Sequence, residues 1–372
     1  MRKRILTLMI MISFIVLTGC TLLQSDFPPP GSKTDPSPEQ KEGEKEPSLI
    51  PLDLDIDEFE NIYGWMDNQT ILYSFVRQGK YHLATYHLYK GESKVIFTSD
   101  SPFHNILIHK SKEMLLIHTS QNSQSAKVYF IDDAGDVKFS TSIESHELAF
   151  EWNEENANLM MTTAFFEDWS YKSFAVDVGD KSIQELEGIH PFVKWFGEDH
   201  ILVQDWNPEQ PNLFAPLVKQ SLSDPSQREV IFNHLYRFDV FSNLLMTIEV
   251  PDVDSEHMEY HFYDSLLKPI GSSIQVPNLT QYSDWLIPYY DYLEENETFL
   301  TFVAKHHENA DVYTEGFQLV AYHLKQQHKE ILFEDMENKP IICSPNGELC
   351  LYGHQLEELL NLKTAERLKL IH

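Results

Sequence analysis

The chain has 372 residues, 42% hydrophobic and 12% aromatic, which is enough apolar surface for a large folded body. Asp and Glu outnumber Lys and Arg by 58 to 28, a formal net charge of −30. So acidic a chain is repelled by phosphates, which excludes nucleic acid as a partner and leaves cationic ligands, metal ions and basic proteins open.

At the N-terminus, Arg2, Lys3 and Arg4 precede an apolar run over residues 5–16. That run is shorter than a membrane-spanning helix requires. Leu17-Thr18-Gly19-Cys20 follows it directly. A basic start, a short apolar run and small residues ahead of a cysteine resemble the signal and lipobox of bacterial lipoproteins. The resemblance implies that residues 1–19 are a signal peptide and that Cys20 carries the lipid, palmitate among its acyl chains. The protein would then sit on the extracytoplasmic face of the cell membrane, with the lipid as its membrane contact. Two acyl chains hold where one does not, at about 0.8 kcal/mol per buried CH₂. Residues 20–51 are rich in Pro, Glu and Lys and have little apolar surface to bury. They read as a disordered tether with a reach of roughly 30 Å.

The body is expected over residues 52–372. It opens with Leu52, Leu54 and Ile56 alternating with Asp53, Asp55 and Asp57, a pattern that predicts a half-buried strand with an acidic outer face. Apolar pairs of strands then recur. They lie at 62–65 and 71–75, 106–109 and 114–118, 148–152 and 159–162, 192–195 and 201–204, 238–241 and 244–248, 289–293 and 299–303, and 341–343 and 349–352. Their turns fall near 68, 112, 155, 198, 242, 295 and 346, with the last two intervals longer than the rest. A second pair of strands follows the first, as at 127–131 and 137–141, 173–178 and 183–186, and 358–362 and 367–371.

Four short strands per period of about 40–50 residues predict an all-β propeller of four-stranded antiparallel blades. Seven repeats are counted, with six blades as the alternative if one long period is a merged or incomplete blade. The aromatic run at 285–292 falls in the first long period and reads as a core strand or as an inserted lip. Trp65, Trp152 and Trp195 end their strands, and Ser344-Pro345-Asn346-Gly347 forms a turn. In this the chain resembles the TolB-like and WD40-like propeller families. With its lipobox and Pro-rich tether it also resembles a group of uncharacterised lipoproteins of Bacillus-type bacteria, usually described as six-bladed.

Cys343 and Cys350 flank the last turn. A two-residue turn at Asn346-Gly347 would set them opposite each other, within disulfide range in an oxidising compartment. His104, His146, His190 and His234 recur at steps of 42, 44 and 44, eight or nine residues before their turns. That spacing predicts a ring at one mouth of the central funnel, and neutral imidazoles there suit a divalent metal such as zinc or manganese. The alternative is four inherited strand caps that hydrogen-bond to neighbouring blades. Loops on the same face carry Trp169, Trp206, Asp252, Asp254, His257, His306, His307, Glu308 and Asp311, which suit a cationic or sugar-like ligand or ordinary solvation. There is no Gly-rich phosphate loop, Gly-x-Ser-x-Gly or His-Glu-x-x-His motif. The sequence therefore reads as a non-enzymatic, membrane-anchored module that binds an extracytoplasmic protein or small ligand, with no catalytic residue or resident cofactor assigned. The alternative is a metal-dependent lyase or hydrolase that uses the histidine funnel.

Overall fold

The structure is a computed structural model that describes residues 48–122, 125–207, 209–210, 212–242 and 244–371. Cys20, the signal segment and the tether up to residue 47 lie outside the described residues. The described chain holds seven four-stranded antiparallel sheets, six of them made of consecutive strands, and one small three-stranded sheet. The innermost strands of blades 1 to 7 are Phe59–Trp65, Phe103–Ile108, Glu147–Trp152, Lys194–Trp195, Arg237–Phe241, Tyr290–Leu293 and Ile341–Cys343. The first of these touches both the second and the seventh, so the blades close into a ring.

The second strand of each blade shows why the sheets stack. Leu115-Leu116-Ile117, Ile201-Leu202-Val203 and Leu244-Leu245-Met246 are continuous apolar runs, and all nine residues are buried. Successive side chains of a strand point to opposite faces. Leu115 and Ile117 accordingly pack toward blade 1 and Leu116 toward blade 3. The core divides into seven apolar clusters, one in each seam between neighbouring blades. Among the described residues, no strand is shared across the closing seam. Blade 1 meets blade 7 mainly through side chains, with Ile62, Trp65 and Tyr73 against Leu351, Leu359 and Leu370, and Ile62 N–H donates to Gln355 O across the seam at 3.3 Å. The Trp65 indole N–H also donates to the Ile342 carbonyl at 2.8 Å.

The alternating stretch at 52–57 is not a strand. Leu52 is buried in the closing seam and its N–H donates to Leu370 O at 2.8 Å, but the chain turns at once through 56–58 and leaves Ile56 exposed. No neighbouring strand edge is offered to residues 53–57, and an alternating pattern without a partner makes no ladder. The body also starts earlier than position 52. Leu49 packs on the seam, Ile50 N–H donates to Leu88 O, and the Tyr86 hydroxyl donates to the carbonyls of Ile50 and Pro51.

One insertion explains both long periods. A hairpin, Leu279–Gln281 with Asp284–Leu286, precedes the innermost strand of blade 6, and Glu308–Asn309 pairs parallel to it from the loop between that blade's second and third strands. The aromatic run at 285–292 is therefore split. Trp285 belongs to the insertion, whereas Tyr290 and Tyr292 belong to the inner strand.

In blade 7 the turn is Ser344–Gly347, closed by Gly347 N–H to Ser344 O at 2.8 Å, and Ser344 N–H reaches Leu349 O. The loop is longer than a two-residue turn but keeps the same register. Cys343 faces Cys350 and the two form a disulfide. Gly347 is required by its φ of +69° and by space, because a Cβ there would lie 2.8 Å from Leu293 Cδ1.

Leu351→Ala deletes a fully buried side chain from the closing seam. It should cost about 3 kcal/mol, read as a lower urea midpoint with an unchanged slope.

Candidate functional site

Backbone pairing defines one layer of the channel wall. Gly64, Leu107, Glu151, Lys194, Asp239, Asp291 and Ile342 each lie opposite a buried apolar residue of their own second strand: Leu72, Leu116, Met161, Leu202, Met246, Leu300 and Leu351. These seven are one position repeated around the ring. Blades 7, 1 and 2 contribute apolar groups or none, while blades 3 to 6 contribute four charges. The next residue in three blades is a tryptophan. Trp195 donates its indole N–H to Glu151 O of blade 3 at 2.9 Å, just as Trp65 donates to Ile342 O of blade 7. Trp152 instead donates to Ala157 O in its own hairpin. The strand-end aromatics thus lock the layer blade to blade.

Lys194 bridges the carboxylates on either side of it, with Nζ 3.4 Å from Glu151 Oε2 and 3.2 Å from Asp239 Oδ1. Asp239 Oδ2 also accepts the Tyr290 hydroxyl at 2.9 Å. Farther round, Asp291 Oδ2 accepts Cys343 N–H at 2.7 Å and Oδ1 accepts Tyr292 N–H at 2.9 Å. A second tier lies at the hairpin turns. Lys110 of blade 2 contacts Glu294 of blade 6 and Ser242 of blade 5. Ser242 donates its N–H and hydroxyl to Glu154 of blade 3, at 2.6 and 2.7 Å. The strap Glu294–Lys110–Ser242–Glu154 therefore ties four turns together. The cavity bounded by these tiers has a volume of about 680 Å³, and six blades line it.

Protein crowds these groups, with the Glu151 and Asp239 side chains 25% and 20% exposed. Desolvation pushes Glu151 up to about 7, since Lys194 is shared with Asp239 and offsets only part of that penalty. Desolvation also raises Asp291 to about 6, against its two N–H donors and the charge of Lys112. Desolvation holds Lys112 below the ordinary lysine range, and the attraction of Asp291 only partly offsets it. Lys194 moves the other way, because Asp239 and Glu151 together outweigh its desolvation.

The four spaced histidines do not form a ring. His104 is on the innermost strand of blade 2, His146 immediately precedes that of blade 3, and His190 lies on the crossover into blade 4. His234 falls on the outermost strand of blade 4, Arg228–Leu235, and stacks on Phe214 with centroids 4.1 Å apart. A single residue, Tyr236, separates that strand from blade 5, so a 44-residue step lands before the crossover. His190 Nδ1 accepts Phe192 N–H at 3.2 Å. His104 and His146 do share a cleft, of about 520 Å³, with His118 and Glu147. Desolvation, helped by His104, pushes His118 down to about 4. Among the described residues, no group of three or more His, Cys, Asp or Glu side chains is placed to hold a metal ion.

The loop residues are dispersed. Trp169 is 93% exposed at a φ of +67°. Trp206 lies under the Arg237 guanidinium, His307 Nδ1 is 2.7 Å from Asn278 Oδ1, and His306 Nδ1 is 3.6 Å from Glu315. Asp254 N–H donates to Asp252 Oδ1 within the loop. His257 begins a strand of blade 5, and Glu308 pairs in the small sheet. Asp311 N–H donates to Asn309 Oδ1.

The YqgU-like 6-bladed beta propeller domain family matches residues 87–353. The chain belongs to that family. Its description gives six blades, and the matched span contains five complete four-stranded blades of this chain and parts of the first and last. "Uncharacterized lipoprotein YqgU" of Bacillus subtilis (strain 168) is 25% identical over 325 residues, 87% of each chain. A crystal structure of an uncharacterised protein from Listeria monocytogenes EGD-e covers 87% of this chain and 98% of its own, at 21% identity and a TM-score of 0.80. Oligogalacturonate lyase from Vibrio parahaemolyticus covers 82% and 87%, at 9% identity and a TM-score of 0.54. At such identities the likeness to both structures is one of fold.

Glu151 protonates more readily in the folded chain than in the unfolded one, where its value is near 4.5. Its contribution to stability is complete below that value and is lost as pH rises through about 7. Glu151→Gln should therefore gain on the wild type between pH 5 and pH 8, by on the order of 2 kcal/mol after allowing for channel water. Paired thermal melts read the difference, and a flat difference across that range would contradict the assignment.

Proposed function

We propose that this chain is a lipid-anchored, extracytoplasmic binding module whose ligand occupies the hairpin end of the propeller channel. One observation carries the site: a repeated wall position is charged in four consecutive blades and apolar or empty in the other three, around a cavity of 680 Å³. Burying charges in the wall is unfavourable for folding alone, and perturbed groups such as Glu151 and Asp291 concentrate where ligands bind. The name of the Bacillus subtilis relative supports the anchor, as does the lipobox-like segment ending at Cys20. The lyase alternative is not favoured, because its premise was four converging histidines.

Native mass spectrometry of the full chain extracted from membranes tests the channel. A small molecule retained by the wild type and lost from Lys194→Met is the expected result, and identical spectra would count against it. Cys20→Ser tests the anchor. The variant should leave the membrane fraction and appear in the medium, whereas retention on the membrane would refute lipid anchoring.

A further inference from the structure

We infer that the channel ligand is a small zwitterion, its ammonium held at Asp291 and its carboxylate at Lys112, with an apolar body between or beside them. The inference rests on the channel reading above and narrows it to a chemical class.

Two of the three lysines that line the cavity are neutralised. Lys110 meets Glu294, and Lys194 meets Glu151 and Asp239. Lys112 differs. Among the described residues its ammonium makes no hydrogen bond and has no carboxylate within 4.0 Å, although Asp291 is its strongest source of attraction. A tight turn fixes its backbone, with a φ of +65° and its N–H donating to His109 O at 2.8 Å. Asp291 is the complementary case. Each of its oxygens accepts one backbone N–H, which leaves lone pairs for further donors, and no side-chain cation reaches it among the described residues.

A cation and an anion therefore line one cavity without forming an ion pair with each other. A ligand with a single charge would satisfy one and leave the other desolvated, which is costly. A ligand with both charges satisfies both. Leu107, Ile108, Phe150, Phe241 and Ile342 also line the cavity and favour an apolar body. A cavity of 680 Å³ is large enough for an amino acid or a short peptide. A metal ion fits less well, because no three ligating side chains converge there among the described residues.

Calorimetry on the detergent-solubilised full chain tests the class, with alanyl-leucine as the probe beside its N-acetyl and C-terminal amide forms. The free dipeptide should bind, and each cap should weaken it about tenfold or more by stranding one charged partner. In Lys112→Met the amide should bind as well as the free acid, and in Asp291→Asn the acetylated form should bind as well as the free amine. The cap series on the wild type needs no variant to fold. Equal affinity for all three forms would overturn the inference, as would failure of the free dipeptide to bind at millimolar concentration. If the dipeptide fails while Lys194→Met still loses a co-purified molecule, the zwitterion is wrong and the channel reading stands. If both fail, both fall.

Discussion

Among the described residues the ring closes without a shared strand, and the rest of the structure depends on that closure. A propeller whose last sheet is completed by an N-terminal strand holds itself shut with a ladder of backbone hydrogen bonds. Here blade 7 is built from its own four strands. What shuts the ring is the apolar packing of blade 1 on blade 7, with the Trp65 indole bonded across it. Apolar packing has no directionality of its own, so hydrogen bonds across the seam supply the registration: the Trp65 indole to Ile342 O, Ile62 N–H to Gln355 O, Asn346 N–H to Asn68 Oδ1 and the Gln355 amide to Glu60 O. The same indole bond between blades 4 and 3 shows that the closing seam uses a repeat device rather than a special latch.

The hairpin turns extend this logic. His109 Nε2 lies 3.0 Å from Asn153 O in the next blade, and Asn153 Nδ2 donates to Gly197 O in the blade after that. Both contacts span 44 residues, the length of a period. Each blade positions its successor, and the channel wall inherits that precision. Four ionisable groups can be held in a desolvated layer because the carbonyls and turns beside them are already engaged. The strap from Glu294 to Glu154 adds a constraint across the ring, where neighbour-to-neighbour bonds do not reach.

Much of the fold was legible because its signal is periodic. Continuous apolar second strands, such as Leu244-Leu245-Met246, mark sheets buried on both faces, and turns recurring every 43 or 44 residues mark blades. The insertion at 279–286 was visible only as a lengthened period. Its partner strand, Glu308–Asn309, is two residues long and pairs parallel, which leaves almost no trace in composition. The stretch at 52–57 misled because alternation reports a face that can be buried, not a partner that is present. The site was less legible. The histidine spacing was real, but a strand start tolerates a shift of a few residues, and at His234 that shift moved the side chain to the outer edge of its blade. Aligning the hairpins three or four residues before each turn would have shown Glu151, Lys194, Asp239 and Asp291 in consecutive blades. Sequence alone gives no reason to prefer that position, because a charge near a strand end is ordinarily solvated.

The chain enters the body at the closing seam and also ends there. Leu52 is bonded to Leu370, and Ile371 packs in the same cluster. Any pull along the chain from the N-terminal side is therefore delivered to the joint between blades 1 and 7. The first bonds to carry it are Ile50 to Leu88 and Leu52 to Leu370. Mechanically the body is a clasp whose cord is knotted at its own fastening, and tension on the cord loads the one joint that holds the ring shut.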